Sequence, residues 1–157
     1  MNVIRVQAEP IAITAEQESL WQGRPQVGAV VTFVGLMRDI NAGVAVSAMT
    51  LEHYPGMTEK ALAVIAAEAA GRWDLLGIRI VHRVGPLRPQ DPIVFVGVAS
   101  AHRREAFRAC EFLIDSLKTG APFWKKETTA AGERWVEAQA ADHWGTGADA
   151  PAGPGPT

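Results

Sequence analysis

The chain has 157 residues, of which 48% are apolar and 20% charged, and its formal net charge is −2. These values predict one soluble globular domain and exclude the strongly basic composition typical of a general nucleic-acid binder, although they allow a local basic patch. The single cysteine, Cys110, excludes a disulfide within the chain. No signal peptide and no apolar run of membrane-spanning length is found, so we expect a cytoplasmic protein without a membrane partner.

The first half of the chain predicts three strands and two helices. The strands are 3–6, 27–35 and 46–54, and the helices cover 14–23 and 58–73. Thr14 and Gln17 form a predicted capping box at the start of the first helix. Thr58 is predicted to cap the second helix. The polar break at 38–43 contains asparagine and glycine, which predicts a loop.

The second half predicts two more strands, a long helix and a hairpin. The strands are 78–84 and 93–99, the helix covers 101–117, and the hairpin joins 123–128 to 133–137. Residues 93–99 are apolar throughout, which predicts a strand buried on both faces. Three prolines within 85–92 predict a turn region without regular pairing. Ser100 is predicted to cap the long helix.

The long helix has an apolar stripe that is predicted to face the core. Its members are Ala106, Phe107, Cys110, Leu113, Ile114 and Leu117. Because Cys110 lies in the middle of this stripe, we interpret it as a small apolar core residue and not as a nucleophile. The whole pattern predicts a single domain of mixed helices and strands over residues 1–140. The Gly/Ala/Pro-rich residues 141–157 are predicted to form a disordered tail.

The segment 100–104 (SAHRR) lies where a buried strand is predicted to enter a helix. A helix start carries positive partial charge and free N–H groups, so the cations His102, Arg103 and Arg104 are unfavourable there unless an anion binds. The pattern fits two interpretations equally, an anion or phosphate seat and a solvated basic turn that Glu105 offsets.

Further cations stand at the ends of predicted elements. Lys118 follows the apolar stripe, where desolvation can lower the pKa of a lysine and make it a nucleophile or a proton donor. The plainer interpretation is that its positive charge interacts favourably with the C-terminal end of the helix dipole. Lys125 and Lys126 begin the hairpin, and Arg38 follows a strand end, where a ligand contact is reasonable but weakly indicated. The four histidines are scattered, with no cysteine or carboxylate at ligand spacing, so we expect neither a metal nor a cofactor.

Taken together, ordered segments across residues 3–138 resemble the large, catalytic subunit of molybdopterin synthase. They are 28–35 (GAVVTFVG) with Arg38, 51–57 (LEHYPGM), 82–87 (HRVGPL), 98–103 (VASAHR) with Ala106 and Phe107, and 117–118 (LK) leading to 122–127 (PFWKKE). The resemblance implies an α+β domain of the α/β-hammerhead type, with a mostly antiparallel sheet, packed helices and a C-terminal hairpin.

The same resemblance implies a sulfurtransferase of molybdenum cofactor biosynthesis. In this family a small ubiquitin-like subunit carries sulfur as a thiocarboxylate on its C-terminal Gly-Gly, and this tail inserts into a pocket of the large subunit. Two sulfurs then pass to cyclic pyranopterin monophosphate and form the dithiolene of molybdopterin. Two large subunits form a central homodimer with one small subunit at each end, which makes a heterotetramer.

The roles of individual residues also follow from the resemblance. The catalytic candidates are Lys118 and Lys125, and the substrate-binding candidates are these two with Arg38, His102, Arg103, Lys126 and Glu127. A phosphate and a thiocarboxylate are both anions, so cationic partners in a partly dry site suit them. Two departures weaken the match: Leu36 stands where many relatives place a lysine, and Gln139 stands where relatives can carry an arginine.

Helix length separates two groups of these candidates. A helix over 101–117 rises about 1.5 Å per residue, so its ends lie roughly 24 Å apart. His102 and Lys118 of one chain therefore cannot both touch one small pterin. The hypothesis is a composite site, in which Lys118, Lys125 and Arg38 come from one chain and His102 and Arg103 come from its dimer mate.

Two other classes of function use the same residues. A binding module for phosphorylated ligands or RNA would employ these cations without chemistry, and its affinity would depend steeply on salt. A protein with a purely structural role in a complex would carry these charges without using them.

Overall fold

The computed structural model describes residues 1–136, which contain two four-stranded sheets, a small two-stranded hairpin and three helices. In chain order the elements are β1 (Asn2–Gln7), α1 (Ile13–Glu18), β2 (Ala29–Leu36), β3 (Ile40–Asn41), β4 (Val44–Ala45), β5 (Ala48–His53), α2 (Met57–Arg72), β6 (Gly77–Arg83), β7 (Gly85–Leu87), β8 (Pro92–Ser100), α3 (Arg103–Gly120), β9 (Phe123–Thr129) and β10 (Gly132–Val136). Gln139 and the predicted tail lie outside the described residues.

The first sheet has the order β1-β6-β8-β2, with β1 parallel to β6 and the other pairs antiparallel. Helices α2 and α3 cover one face, where Val94, Val96 and Val98 of β8 join the main core. The opposite face packs on the region of α1, where Phe95 and Ala99 meet Leu20. The alternation along β8 therefore confirms the prediction of a strand buried on both faces.

The second sheet is antiparallel throughout, with the order β10-β9-β5-β7. It has a small core of its own, formed by Met37, Val46, Met49, Leu51 and Leu87. The β9–β10 hairpin confirms the C-terminal hairpin, and the mixture of three helices with mainly antiparallel strands confirms the α+β class. The chain passes from the first sheet to the second between Arg83 and Gly85, where Gly85 has a φ of 90° that favours glycine.

The turn region predicted over 85–92 is partly wrong, because β7 lies within it and pairs with β5. The prolines were expected to prevent pairing. Pro86 is accommodated because β7 is an edge strand, where one side needs no donor. The loop predicted over 38–43 likewise contains β3, which pairs with β4 in a small hairpin.

The predicted helix caps are wrong. Helix α1 has Ala12 as its N-cap with no side-chain cap hydrogen bond, so Thr14 and Gln17 form no capping box. The first turn of α1 is instead anchored by Glu16, a buried carboxylate that pairs with Arg5 and, at 2.6 Å, with Nε of Arg79. Burial raises the pKa of Glu16, but the two guanidinium groups outweigh it and hold this pKa below its ordinary value.

Two hydroxyls predicted as caps bridge separate elements instead. Ser100 stays in β8, and its hydroxyl donates to the carbonyl of Asp74 at 2.9 Å. Thr58 lies inside α2, where its hydroxyl accepts a hydrogen bond from the N–H of Tyr54 and donates to the carbonyl of Pro122. This second bridge ties the start of α2 to the segment that leads into β9.

The apolar stripe of α3 is confirmed except at one residue. Phe107 is 62% exposed, whereas the other five predicted members are buried. Neighbouring positions on a helix point about 100° apart, and here Ala106 faces the core while Phe107 lies on the exposed side of the stripe. Ala109, which had not been predicted, is fully buried and continues the stripe.

Candidate active site

A cavity lies where the two sheets and the end of α3 meet, and we call it the apolar slot. Its polar side chains among the described residues are His82, Lys118 and Lys125. The remaining lining residues are Phe33, Gly35, Leu36, Leu51, Ile93, Val94, Leu117, Ala121, Phe123 and Val136. Two lysines therefore enter surroundings that are otherwise almost entirely apolar, where charge–charge interactions are strong.

A second cavity, the polar pocket, adjoins the slot. Lys118 and Lys125 line both cavities, and the polar pocket adds Arg38, Asn41 and Glu127. Leu36 also lines both and is 52% exposed, so an apolar side chain stands at the position where a lysine was noted as missing. The structure thus brings together four of the candidate residues predicted from sequence: Arg38, Lys118, Lys125 and Glu127.

The alternation of a strand decides which hairpin residues reach the site. On β9, Lys125 and Glu127 point towards the cavities, whereas Lys126 points to the other face. The ammonium group of Lys126 lies 3.4 Å from Oε2 of Glu133 and 5.6 Å from the ring centroid of Trp135. Lys126 lines neither cavity, so the structure does not bring it together with the other candidates.

Glu127 is only 3% exposed, and both of its carboxylate oxygens accept hydrogen bonds. Nδ2 of Asn41 donates to Oε1 at 2.6 Å. Arg134 donates to Oε2 from Nε at 3.2 Å and from Nη2 at 3.0 Å. Glu127 thus fastens β3, which begins two residues after Arg38, to the C-terminal hairpin, and this geometry favours a positioning role.

His82 is a member of the site that sequence reasoning did not select. A histidine on a strand is more often a core or sheet-face residue than a ligand, and His82 is buried. Its ring stacks on Phe123 with centroids 3.9 Å apart, and Nδ1 lies 3.0 Å from the carbonyl oxygen of Arg83. The one signal in the sequence is a histidine in the predicted strand 78–84, three residues before Gly85.

Burial is the main cause that lowers the pKa of His82 to about 4. The hydrogen bond to Arg83 acts in the opposite direction, and the positive charges of Lys125 and Lys118 lower this pKa further. The imidazole is therefore neutral near pH 7. Since a carbonyl oxygen only accepts, Nδ1 carries the proton and Nε2 is left as an acceptor.

His102 and Arg103 lie at the opposite end of α3, where His102 is the N-cap and both side chains are exposed. They line none of the cavities described above. At about 1.5 Å per residue the helix places them roughly 24 Å from Lys118. Within one chain, these two candidates and Lys118 do not share a site.

Cys110 is buried in the main core, and this confirms its interpretation as a core residue. Burial raises the pKa of its thiol to about 12, which keeps it protonated and unreactive. Within residues 1–136, no group of three or more histidine, cysteine or acidic side chains is arranged to hold a metal ion. No helix in that range is long and apolar enough to cross a membrane.

Comparison with known proteins gives one consistent match. The family model described as "MoaE protein" matches residues 6–120. The molybdopterin synthase catalytic subunit of Ralstonia nicotianae is 60% identical over 142 residues, which cover 90% of this chain and 81% of that protein.

Solved structures agree with this match. The Burkholderia ambifaria MoaE protein superposes with a TM-score of 0.77 at 54% identity and covers 88% of this chain and 90% of its own. A molybdopterin synthase structure from Staphylococcus aureus gives a TM-score of 0.80 at 36% identity, and the match covers 85% of this chain and 96% of that chain.

Proposed function

The chain belongs to the MoaE family of molybdopterin synthase catalytic subunits, and we propose from this membership that it transfers sulfur to cyclic pyranopterin monophosphate in the cytoplasm. The donor is the C-terminal thiocarboxylate of a small ubiquitin-like carrier subunit that ends in Gly-Gly. The observation that carries the proposal is the pair Lys118 and Lys125, which stands between the apolar slot and the polar pocket.

Each cavity suits one reactant. A glycine tail has no side chains to accommodate, so it can enter the narrow apolar slot and bring its anionic end to the two lysines. The polar pocket offers Arg38 beside the same lysines, which suits a phosphate-bearing pterin. The lysines thus face the donor on one side and the acceptor on the other, as a transfer reaction requires.

The transfer exchanges oxygen for sulfur and needs no oxidant or reductant. The thiocarboxylate sulfur bonds to a substrate carbon while a carbon–oxygen bond of the substrate breaks, and the oxygen leaves with a proton. Water then cleaves the acyl–sulfur bond, so the carrier returns as a carboxylate and the sulfur stays on the pterin. Lys118 and Lys125 stabilise the anions, and either can donate the proton to the leaving oxygen.

A second copy of the chain completes the site in this proposal. His102 and Arg103 are exposed at the far end of α3 and cannot reach the pterin beside Lys118 of their own chain. In a homodimer they would enter the partner's site and hold the substrate, and one carrier at each end would make a heterotetramer.

Mixing a His102→Ala chain with a Lys118→Ala chain is expected to restore about a quarter to a half of the wild-type activity per heterodimer formed. Each heterodimer contains one site in which all of these groups are intact, and one site that lacks both. Differently tagged chains and tandem purification isolate the heterodimer for assay. An isolated heterodimer without activity would contradict the composite site.

Reconstitution tests the function itself. Purified chain, thiocarboxylated carrier and cyclic pyranopterin monophosphate are expected to give the dithiolene product in mass spectra, with two carriers converted to the carboxylate form per product. Carrier in the carboxylate form is the matched control and should give none. If the chain only binds these ligands, with a steep salt dependence and no product, a binding module replaces the enzyme as the explanation.

A further inference from the structure

The apolar slot is rich in donors and poor in acceptors. Lys118 and Lys125 are donors only, and the other lining side chains apart from His82 are apolar. Of the strands that line the slot, β5, β6, β8 and β9 are interior, so their main-chain groups are largely used by the sheets, and the comparison that follows concerns the side chains. Among the described residues that line the slot, His82 is therefore the one side chain that can accept a hydrogen bond.

The proposed occupant of the slot creates a need for such an acceptor. A peptide tail brings backbone N–H groups with it, and an N–H that is buried without a partner weakens binding. The lysines have no acceptor, so they cannot satisfy these N–H groups. In the proposed complex the two lysines bind the anionic end of the tail, the N–H of the last glycine lies within one residue of that end, and His82 lines the same slot.

The ring of His82 is prepared for this role. Its Nδ1–H is held by the carbonyl of Arg83, and its face is held against Phe123, so the direction of Nε2 is fixed. Burial and the nearby lysine charges keep the ring neutral, so Nε2 remains an acceptor at neutral pH. A cationic histidine would instead add a donor and repel the lysines.

We propose that His82 is a specificity-determining residue of the slot, whose Nε2 accepts a hydrogen bond from the backbone N–H of the last glycine of the carrier tail. The inference rests on the proposed function, since it takes the tail as the occupant. It gives the slot a means of selecting a peptide end over other small anions.

Three variants separate the functions of the ring. His82→Phe keeps an aromatic ring on Phe123 but has no acceptor, His82→Asn keeps a donor near Arg83 but has no distal acceptor, and His82→Gln keeps an amide near the position of Nε2. The first two are expected to raise the KM for the carrier about tenfold, the value of one ordinary hydrogen bond. His82→Gln should recover a large part of this loss, while kcat changes less than KM in all three.

A modified carrier tests the same bond without altering this chain. In a semisynthetic full-length carrier, the peptide bond before the last glycine is replaced by an ester, which removes the N–H. With wild-type chain its KM should rise about tenfold, and His82→Phe should add little to that rise.

The outcomes are distinct. If wild-type chain makes no dithiolene with native carrier, the proposed function fails. If wild-type chain is active but His82→Phe keeps the wild-type KM for the carrier, the role of His82 is wrong and the proposed function stands. The same conclusion follows if the rise in KM caused by the ester and the rise caused by His82→Phe multiply when the two changes are combined. Loss of kcat with an unchanged KM would also overturn it, because the ring would then act in the chemistry.

Discussion

Replacing Lys118 by alanine is expected to lower the rate of dithiolene formation by at least about 10²-fold, because one positioned proton donor and charge typically contributes that much. Lys118 lines both cavities, so in the proposed reaction its ammonium group meets both the donor and the acceptor of sulfur. The carrier should still bind, because the apolar walls of the slot remain. Single-turnover product formation and carrier affinity, measured on the same preparation, separate the two effects.

Two variants make this result interpretable. Lys118→Arg keeps the charge but is a poor proton donor, because a guanidinium holds its proton far more tightly than an ammonium group. Partial activity of this variant would mean that charge carries part of the effect. Lys60→Ala removes an exposed helical lysine on α2 that lines neither cavity, and it should leave the rate unchanged. A Lys118→Ala chain with nearly wild-type turnover would refute the assignment of this lysine.

Replacing Glu127 by alanine is expected to lower activity about tenfold or more and to lower the free energy of unfolding by about 1–2 kcal/mol. The change releases Asn41 and Arg134, which now hold β3 and β10 together through the carboxylate. The stability cost stays modest because Arg134 is 40% exposed on its side chain and can turn to water. Activity suffers more, because the segment that carries Arg38 loses its anchor.

Urea unfolding measures the change in the free energy of unfolding. The KM for the pterin shows whether Arg38 has been displaced from the site. Glu133→Ala is the matched control, since it removes an exposed glutamate of the same hairpin whose ion pair is with Lys126. If Glu127→Ala loses stability without any change in KM or turnover, the residue serves the fold alone. Equal effects of Glu127→Ala and Glu133→Ala would contradict the positioning role.

Local patterns were enough to predict the longer helices and strands, although not β3, β4 and β7, and to single out Arg38, Lys118 and Lys125. The β-branched run of β2 and the apolar run of β8 predict strands because strand preference and burial agree there. Lys118 and Lys125 stand at recognisable element ends. Their meeting in one cavity follows once the helix, the turn and the hairpin are placed in order.

Other features depend on contacts between distant parts of the chain. The role of His82 rests on a ring stacked on Phe123 and on a position where two sheets join, and no local pattern indicates either. Glu127 acts through Asn41, which lies 86 residues away in sequence. Two of the predicted caps, Ser100 and Thr58, also depend on such contacts, because each hydroxyl donates to a carbonyl in a distant segment.

The alternation of β9 has a consequence for how such a chain can change in evolution. Residues 119–124 connect Lys118 to Lys125, and they fix which face of the strand Lys125 occupies. One inserted or deleted residue would shift the strand by one position and exchange Lys125 for Trp124 or Lys126 at the cavities. A substitution within this connection leaves the face that Lys125 occupies unchanged, whereas a change in the register of the strand does not. The site therefore depends on the number of residues between Lys118 and Lys125 as well as on the side chains themselves.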